Sequence, residues 1–94
     1  MQRHDKFYVY ILKCADKRYY IGYTHNIEKR IRLHNLGQGA KYLKIRLPVK
    51  LVYVKEYKYY KNARHAERNL KKATRARKEE LIKIYENKQF QRIE

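Results

Sequence analysis

The chain has 94 residues, of which 25 are Lys or Arg and 9 are Asp or Glu, for a formal net charge of +16. That length holds one small core and leaves no room for a second lobe, and a charge far above what solubility needs points to a polyanionic partner. No apolar run is long enough to span a bilayer and no apolar signal segment stands at the amino end, so a membrane partner is not expected and a cytoplasmic location is.

The charge is spread over the whole chain: 11 basic against 3 acidic residues up to Leu47, and 14 against 6 beyond it. Cys14 is the only cysteine, which rules out an internal disulfide and reads as a small apolar residue at a strand end. The spacing of Cys14, His25, His34 and His65 matches no usual zinc pattern.

Met1 to Lys6 is polar and expected to be loose. Phe7 to Cys14 reads as a strand that is apolar on both faces, hence covered from both sides. Ala15 to Arg18 makes the turn, and Tyr19 to Thr24 the second, antiparallel strand. Gly22 inside it marks either a bulge or close approach by another group, or relief of crowding beneath the next helix. Side chains alternate along a strand, so Tyr10 and Tyr20 share a face only if facing residue numbers sum to an even number. Ala15 opposite Tyr19 around an odd loop would do this, as would a bulge near Gly22.

Asn26 is the expected N-cap of a helix from Ile27 to Leu36, and Gly37 its C′ residue. Ile27, Arg30, Ile31 and His34 share one face of that helix. Two members of this core-facing stripe are a guanidinium and an imidazole, costly to bury unless each binds something. Gln38 to Leu47 is a basic connection in which Lys41, Lys44 and Arg46 are candidate phosphate contacts. Pro48 precedes a third strand, Val49 to Tyr57. After a turn at Tyr59 to Asn62, with Asn62 as cap, a second helix is predicted over Ala63 to Ala73. Glu67 sits in its apolar stripe of Ala63, Ala66, Leu70 and Ala73. Thr74 caps a third helix, Arg75 to Asn87, with Leu81, Ile82 and Tyr85 as its apolar face, and Gln89 to Glu94 is expected to be loose. The predicted fold is a single α/β domain in the order strand, strand, helix, strand, helix, helix. Its three-stranded sheet is antiparallel or mixed and carries helices on both sides.

Arg30, His34 and Glu67 are thus three ionisable groups on faces meant for a core. They form either a nuclease-like site or a buried ion pair of Glu67 with Arg30 or His34. An Arg fork fits a phosphate bidentately, and one carboxylate suffices for a Mg²⁺ that keeps waters and borrows phosphate oxygens.

Tyr20-Ile21-Gly22, then Thr24, Asn26, Arg30 and His34, resembles the second motif of the GIY-YIG nuclease superfamily. Tyr8-Val9-Tyr10 stands where Gly-Ile-Tyr is usual, and only Tyr10 of that triplet is retained. With Gly37 to Tyr42 and Pro48-Val49, the ordered set is similar to the small stand-alone UPF0213 branch, from about Phe7 to Tyr85. The resemblance implies a Mg²⁺- or Mn²⁺-dependent endonuclease acting on DNA, branched or single-stranded substrates included. It implies that Tyr10 or Tyr20 assists the attacking water, Arg30 stabilises the phosphate, His34 hydrogen-bonds water or phosphate, and Glu67 holds the metal. Gly22, Thr24 and Asn26 belong to the motif as structural residues. Tyr8 in place of Gly bears on how closely substrate approaches the first strand. The alternatives are an inactive nucleic-acid-binding module and a basic RNA- or ribosome-associated protein.

Overall fold

The structure is a computed structural model and describes residues 6–93. Of the two expected loose ends, Met1 to Asp5 and Glu94 lie outside the described residues. The elements are β1 (Phe7–Lys13), β2 (Tyr19–Thr24), α1 (Ile27–Asn35), a 3₁₀ turn (Lys41–Leu43), β3 (Lys50–Tyr57), α2 (Tyr60–Lys72) and α3 (Arg75–Ile93). The sheet order is β2-β1-β3 and both pairings are antiparallel. Among the described residues no helix is long and apolar enough to cross a membrane.

The central position of β1 explains its two apolar faces. Val9 and Ile11 point to one side, where Ile21, Val52, Ala63 and Leu70 of α2, and Ile82 of α3 complete a core. Tyr10, Leu12 and Cys14 point to the other, against Leu43 and Val49, with Ile27 and Ile31 of α1 packed on them. Helices therefore cover both sides of the sheet, and Cys14 is a buried, free thiol. On α3, Leu81 and Ile82 pack on the core and the Tyr85 ring meets Tyr53 edge-on, as the sequence predicts.

The β1–β2 register pairs Tyr10 with Gly22 and Leu12 with Tyr20. Facing numbers sum to an even number, as sharing a face requires, but the turn lies one residue earlier than Asp16 to Arg18. Cys14 and Arg18 close it, with Cys14 N–H donating to Arg18 O (2.8 Å) and Lys17 N–H to Cys14 O (2.9 Å). Lys17 takes the left-handed conformation (φ 69°) that a three-residue hairpin loop needs. No bulge interrupts β2 at Gly22; the irregularity falls in the β1–β3 pairing, between Ile11 and Leu12.

Local signals set both ends of α1. Asn26 Oδ1 accepts from Lys29 N–H (3.1 Å), and Thr24 Oγ1 accepts from Asn26 N–H (3.1 Å). At the other end Gly37 is left-handed (φ 75°), Gly37 N–H donates to His34 O and Gln38 N–H to Leu33 O, the paired closure that satisfies two of the last-turn carbonyls.

Two boundaries differ from those predicted by more than one residue. Helix α2 begins at Tyr60, not Ala63, and Asn62 does not cap it, because the Tyr60 ring packs edge-on against Phe7 and Tyr23 and adds a turn. Helix α3 continues past Asn87 to Ile93, through a segment with no glycine or proline to stop it. Thr74 caps it as expected, accepting from Arg77 N–H at 3.1 Å.

Candidate active site

The even register puts Tyr10 and Tyr20 on the α1 side of the sheet, with ring centroids 6.5 Å apart. Helix α1 adds His34, whose ring meets Tyr20 edge-on at 5.6 Å and whose Nε2 lies 3.3 Å from the Tyr10 hydroxyl. Two glycines make this arrangement possible. A Cβ at Gly22, directly across from Tyr10, would stand 2.5 Å from the Tyr10 hydroxyl and 2.7 Å from Cζ, closer than side chains pack. A Cβ at Gly39 would overlap the His34 ring at Nδ1. Gly22 is therefore neither a bulge nor a response to the next helix; it clears space for Tyr10. The role of Gly39 is not legible in the sequence, because it depends on where the loop after α1 crosses His34.

Hydrogen bonding fixes the protonation of the pair. His34 Nδ1 accepts from Ala40 N–H at 3.1 Å, so in the neutral ring the proton sits on Nε2. Burial, and then the Arg30 charge, hold the His34 pKa below the ordinary imidazole value. The neutral Nε2–H thus donates to the Tyr10 oxygen. Both ring nitrogens of His34 thus have partners inside the protein, Ala40 N–H at Nδ1 and the Tyr10 hydroxyl at Nε2.

Burial pushes the Tyr10 phenol up strongly, helped by Tyr20 and Glu67 and opposed by Arg30. Tyr20 is raised by burial as well, with Arg30 again lowering it and Glu67 raising it. The two tyrosines differ in access: Tyr10 is 2% exposed, whereas Tyr20 is half-buried. Arg30 is half-buried and its charge reaches both phenols and the imidazole. Among the described residues none forms an ion pair with it or accepts a hydrogen bond from its side chain.

Glu67 is 5% exposed and is the one buried carboxylate among the described residues. The ion pair expected as the alternative, to Arg30 or His34, does not form. Glu67 Oε1 is 3.0 Å from Arg64 Nη1 and Oε2 is 3.4 Å from Lys71 Nζ, both on its own helix. Those partners sit three residues before and four after Glu67, a spacing already visible in the sequence. They win because a same-helix neighbour needs no chain closure to reach the carboxylate.

The basic connection divides into two kinds of residue. Lys41 and Lys44 are exposed, and no carboxylate among the described residues pairs with either. Arg46 is instead folded against the protein, its side chain only 14% exposed, with Nε 3.2 Å from Asp16 Oδ2. Its guanidinium lies 4.0 Å over the Tyr42 ring and donates to Tyr42 O at 2.7 Å. Tyr42 stacks on Tyr20 at 6.2 Å, so Arg46 braces a candidate site tyrosine and offers no free fork to a phosphate. Asn35 ties the far end of the connection, donating from Nδ2 to Val49 O and accepting from Val49 N–H through Oδ1. Tyr8 faces Thr24 across the sheet and lines a groove with Val54 and Tyr85.

A small β-β-α-β-α-α domain with two facing tyrosines, an unpaired arginine, a buried histidine and one buried glutamate has the frame of a GIY-YIG catalytic domain. A family profile for that catalytic domain matches residues 6–80. The chain belongs to the GIY-YIG family, within its UPF0213 branch. It is 47% identical over 77 residues to a UPF0213 protein of Streptococcus pneumoniae, covering 82% of this chain and 78% of the relative. It is 40% identical over 87 residues to UPF0213 protein YazA of Bacillus subtilis, covering 93% and 87%. Among solved structures it is similar to a UPF0213 protein from Bacillus halodurans (TM-score 0.56, 38% identity, 84% of each chain). It is also similar to a protein from E. faecalis (TM-score 0.61, 35% identity, 92% of each chain).

Proposed function

We propose that this domain is a divalent-metal-dependent endonuclease that hydrolyses phosphodiester bonds in DNA. The observation that carries the reading is Arg30. A half-buried guanidinium without a protein anion, whose charge reaches two phenols and an imidazole, is suited to hold an anion such as a phosphate. The net charge of +16 and the exposed Lys41 and Lys44 supply the wider field that draws a polyanion to it.

Arg30 binds the scissile phosphate and stabilises the charge that grows on its oxygens. Tyr20, the more accessible phenol, contacts the attacking water and orients it. Tyr10 stays a neutral phenol; with its oxygen accepting from His34, its own proton is free to point into the site. His34 and the two glycines are positioning groups. Glu67 fits Mg²⁺ or Mn²⁺: it is a hard oxygen donor and the one buried carboxylate among the described residues, which matches an ion that keeps most of its waters. Glu67 would hold such an ion, which would supply positive charge to lower the pKa of a water or nearby phenol and to offset charge on the leaving oxygen. Tyr20 does not ionise near neutral pH in the free protein, since burial raises its pKa.

The second reading, a binding module with an inert site, draws on the pairing of Glu67 with Arg64 and Lys71, which occupies both carboxylate oxygens. Cleavage assays on branched, single-stranded and duplex DNA, with and without Mg²⁺, decide between them. Metal-dependent cleavage that Arg30→Ala and Glu67→Gln abolish is the expected result. DNA binding with no cleavage of any substrate would leave the binding module.

A further inference from the structure

Glu67 is buried but the two cations on it are not. The Arg64 and Lys71 side chains are 42% and 56% exposed, against 7% for Glu67. Arg64 leans on the Tyr23 ring, with its guanidinium 4.7 Å from the centroid, beside the strand that carries Tyr20 and Gly22. The carboxylate is thus fixed, whereas each cation can swing outward into solvent.

A divalent cation approaching Glu67 meets two obstacles in the free protein. It must displace at least one monocation from the carboxylate, and it enters the field of a chain with a formal charge of +16. A nucleic-acid strand in the site removes both. Its phosphates screen the field and offer Arg64 and Lys71 competing anions, and they add oxygen ligands for a hard cation. We propose that Arg64 and Lys71 hold the Glu67 carboxylate closed in the free protein and are drawn off it by substrate phosphates, so that nucleic acid binds first and opens the divalent-metal site. This rests on the nuclease reading above. Arg64 and Lys71 are then phosphate contacts in the complex and metal gatekeepers outside it. Because coupling between two ligands is reciprocal, the metal tightens nucleic acid by the same factor. Arg68 and Lys72 lie on the same helix, are exposed and do not touch Glu67, so they report what charge alone does.

The test measures Mn²⁺ binding by electron paramagnetic resonance, with and without a cleavage-resistant phosphorothioate single-stranded DNA. Glu67→Gln protein is the blank for Mn²⁺ held by the DNA itself. In the wild type the oligonucleotide should tighten Mn²⁺ by about tenfold or more. In the Arg64→Gln/Lys71→Gln double variant, Mn²⁺ should bind the free protein several-fold more tightly than wild type, and the oligonucleotide should tighten it by a several-fold smaller factor than in wild type, the remainder coming from screening and phosphate oxygen ligands. Arg68→Gln/Lys72→Gln, with the same loss of charge, should keep the wild-type pattern. Should the first double variant fail to fold, carbon NMR of the wild-type Glu67 carboxylate gives the answer: adding oligonucleotide without metal should shift it, and an unmoved signal would overturn the inference. Equal Mn²⁺ affinity with and without oligonucleotide would overturn it too, as would indistinguishable double variants; in both cases the nuclease reading stands. Mn²⁺ binding identical in wild type and Glu67→Gln under every condition would sink the inference and the nuclease reading together.

Discussion

Gly22→Ala tests the packing on which the site depends. Gly22 lacks the left-handed φ that glycine alone tolerates, so space, not backbone conformation, sets the residue. The added methyl would stand 2.5 Å from the Tyr10 hydroxyl and 2.7 Å from Cζ. Tyr10 cannot step aside easily, because it is fully buried and bonded to His34. Overpacking of this kind costs about 1–3 kcal/mol. Replacing glycine in an extended segment returns about 0.4–1 kcal/mol through the unfolded chain. The net expectation is a loss of roughly 1–2 kcal/mol, or about 4–8 °C in Tm per kcal/mol for a domain of this size. Urea denaturation measures it, and a cycle with Tyr10→Phe locates the cause. Tyr10→Phe alone leaves His34 Nε2–H buried without an acceptor, a cost of about 1–3 kcal/mol. In that background Gly22→Ala should cost less, though not nothing, since the Cζ contact remains. A Gly22→Ala protein as stable as wild type, or an equal cost in both backgrounds, would refute the claim that Gly22 exists to admit Tyr10.

Glu67→Gln should change stability by no more than about 1 kcal/mol, because the cations it releases are half-exposed and hydrate readily; calorimetry showing a loss of about 3–5 kcal/mol would mark a buried pair instead. The same variant should lose metal binding and cleavage while still binding DNA in gel-shift assays. His34 carries a lowered pKa, so the unfolded chain takes up the proton first. Its contribution to stability is complete above about pH 6.5 and is lost as pH falls from there through the depressed folded value. His34→Gln should flatten stability measured between about pH 8 and 5, and an unaltered slope would exclude His34 as the source. Lys41→Ala and Lys44→Ala should each reduce the salt dependence of DNA affinity by about 0.7–0.9 in log–log slope without lowering Tm. Arg46→Ala should lower Tm, because its guanidinium joins Tyr42 to Asp16.

Local chemistry determined much of this protein from the sequence alone. The doubly apolar run of β1 required a strand covered on both faces. Asn26 and Gly37 delimited α1, and helical spacing put Arg30 and His34 on its inward face. Helical spacing also left Glu67 among alanines and a leucine. Each of these depends on residues a few positions apart, whose geometry the backbone fixes. What the tertiary structure decided are the contacts between segments far apart in the chain. The space at Gly22 is defined by a ring twelve residues upstream, and the space at Gly39 by an imidazole whose proton Ala40 then places. The sequence makes Arg46 one more candidate phosphate contact, whereas in the fold its side chain lies between Tyr42 and Asp16. Tyr60 extended α2 because Phe7 and Tyr23 were there to receive its ring. Sequence spacing gives no measure of such distances, because loop closure lets any of several partners meet and packing selects among them.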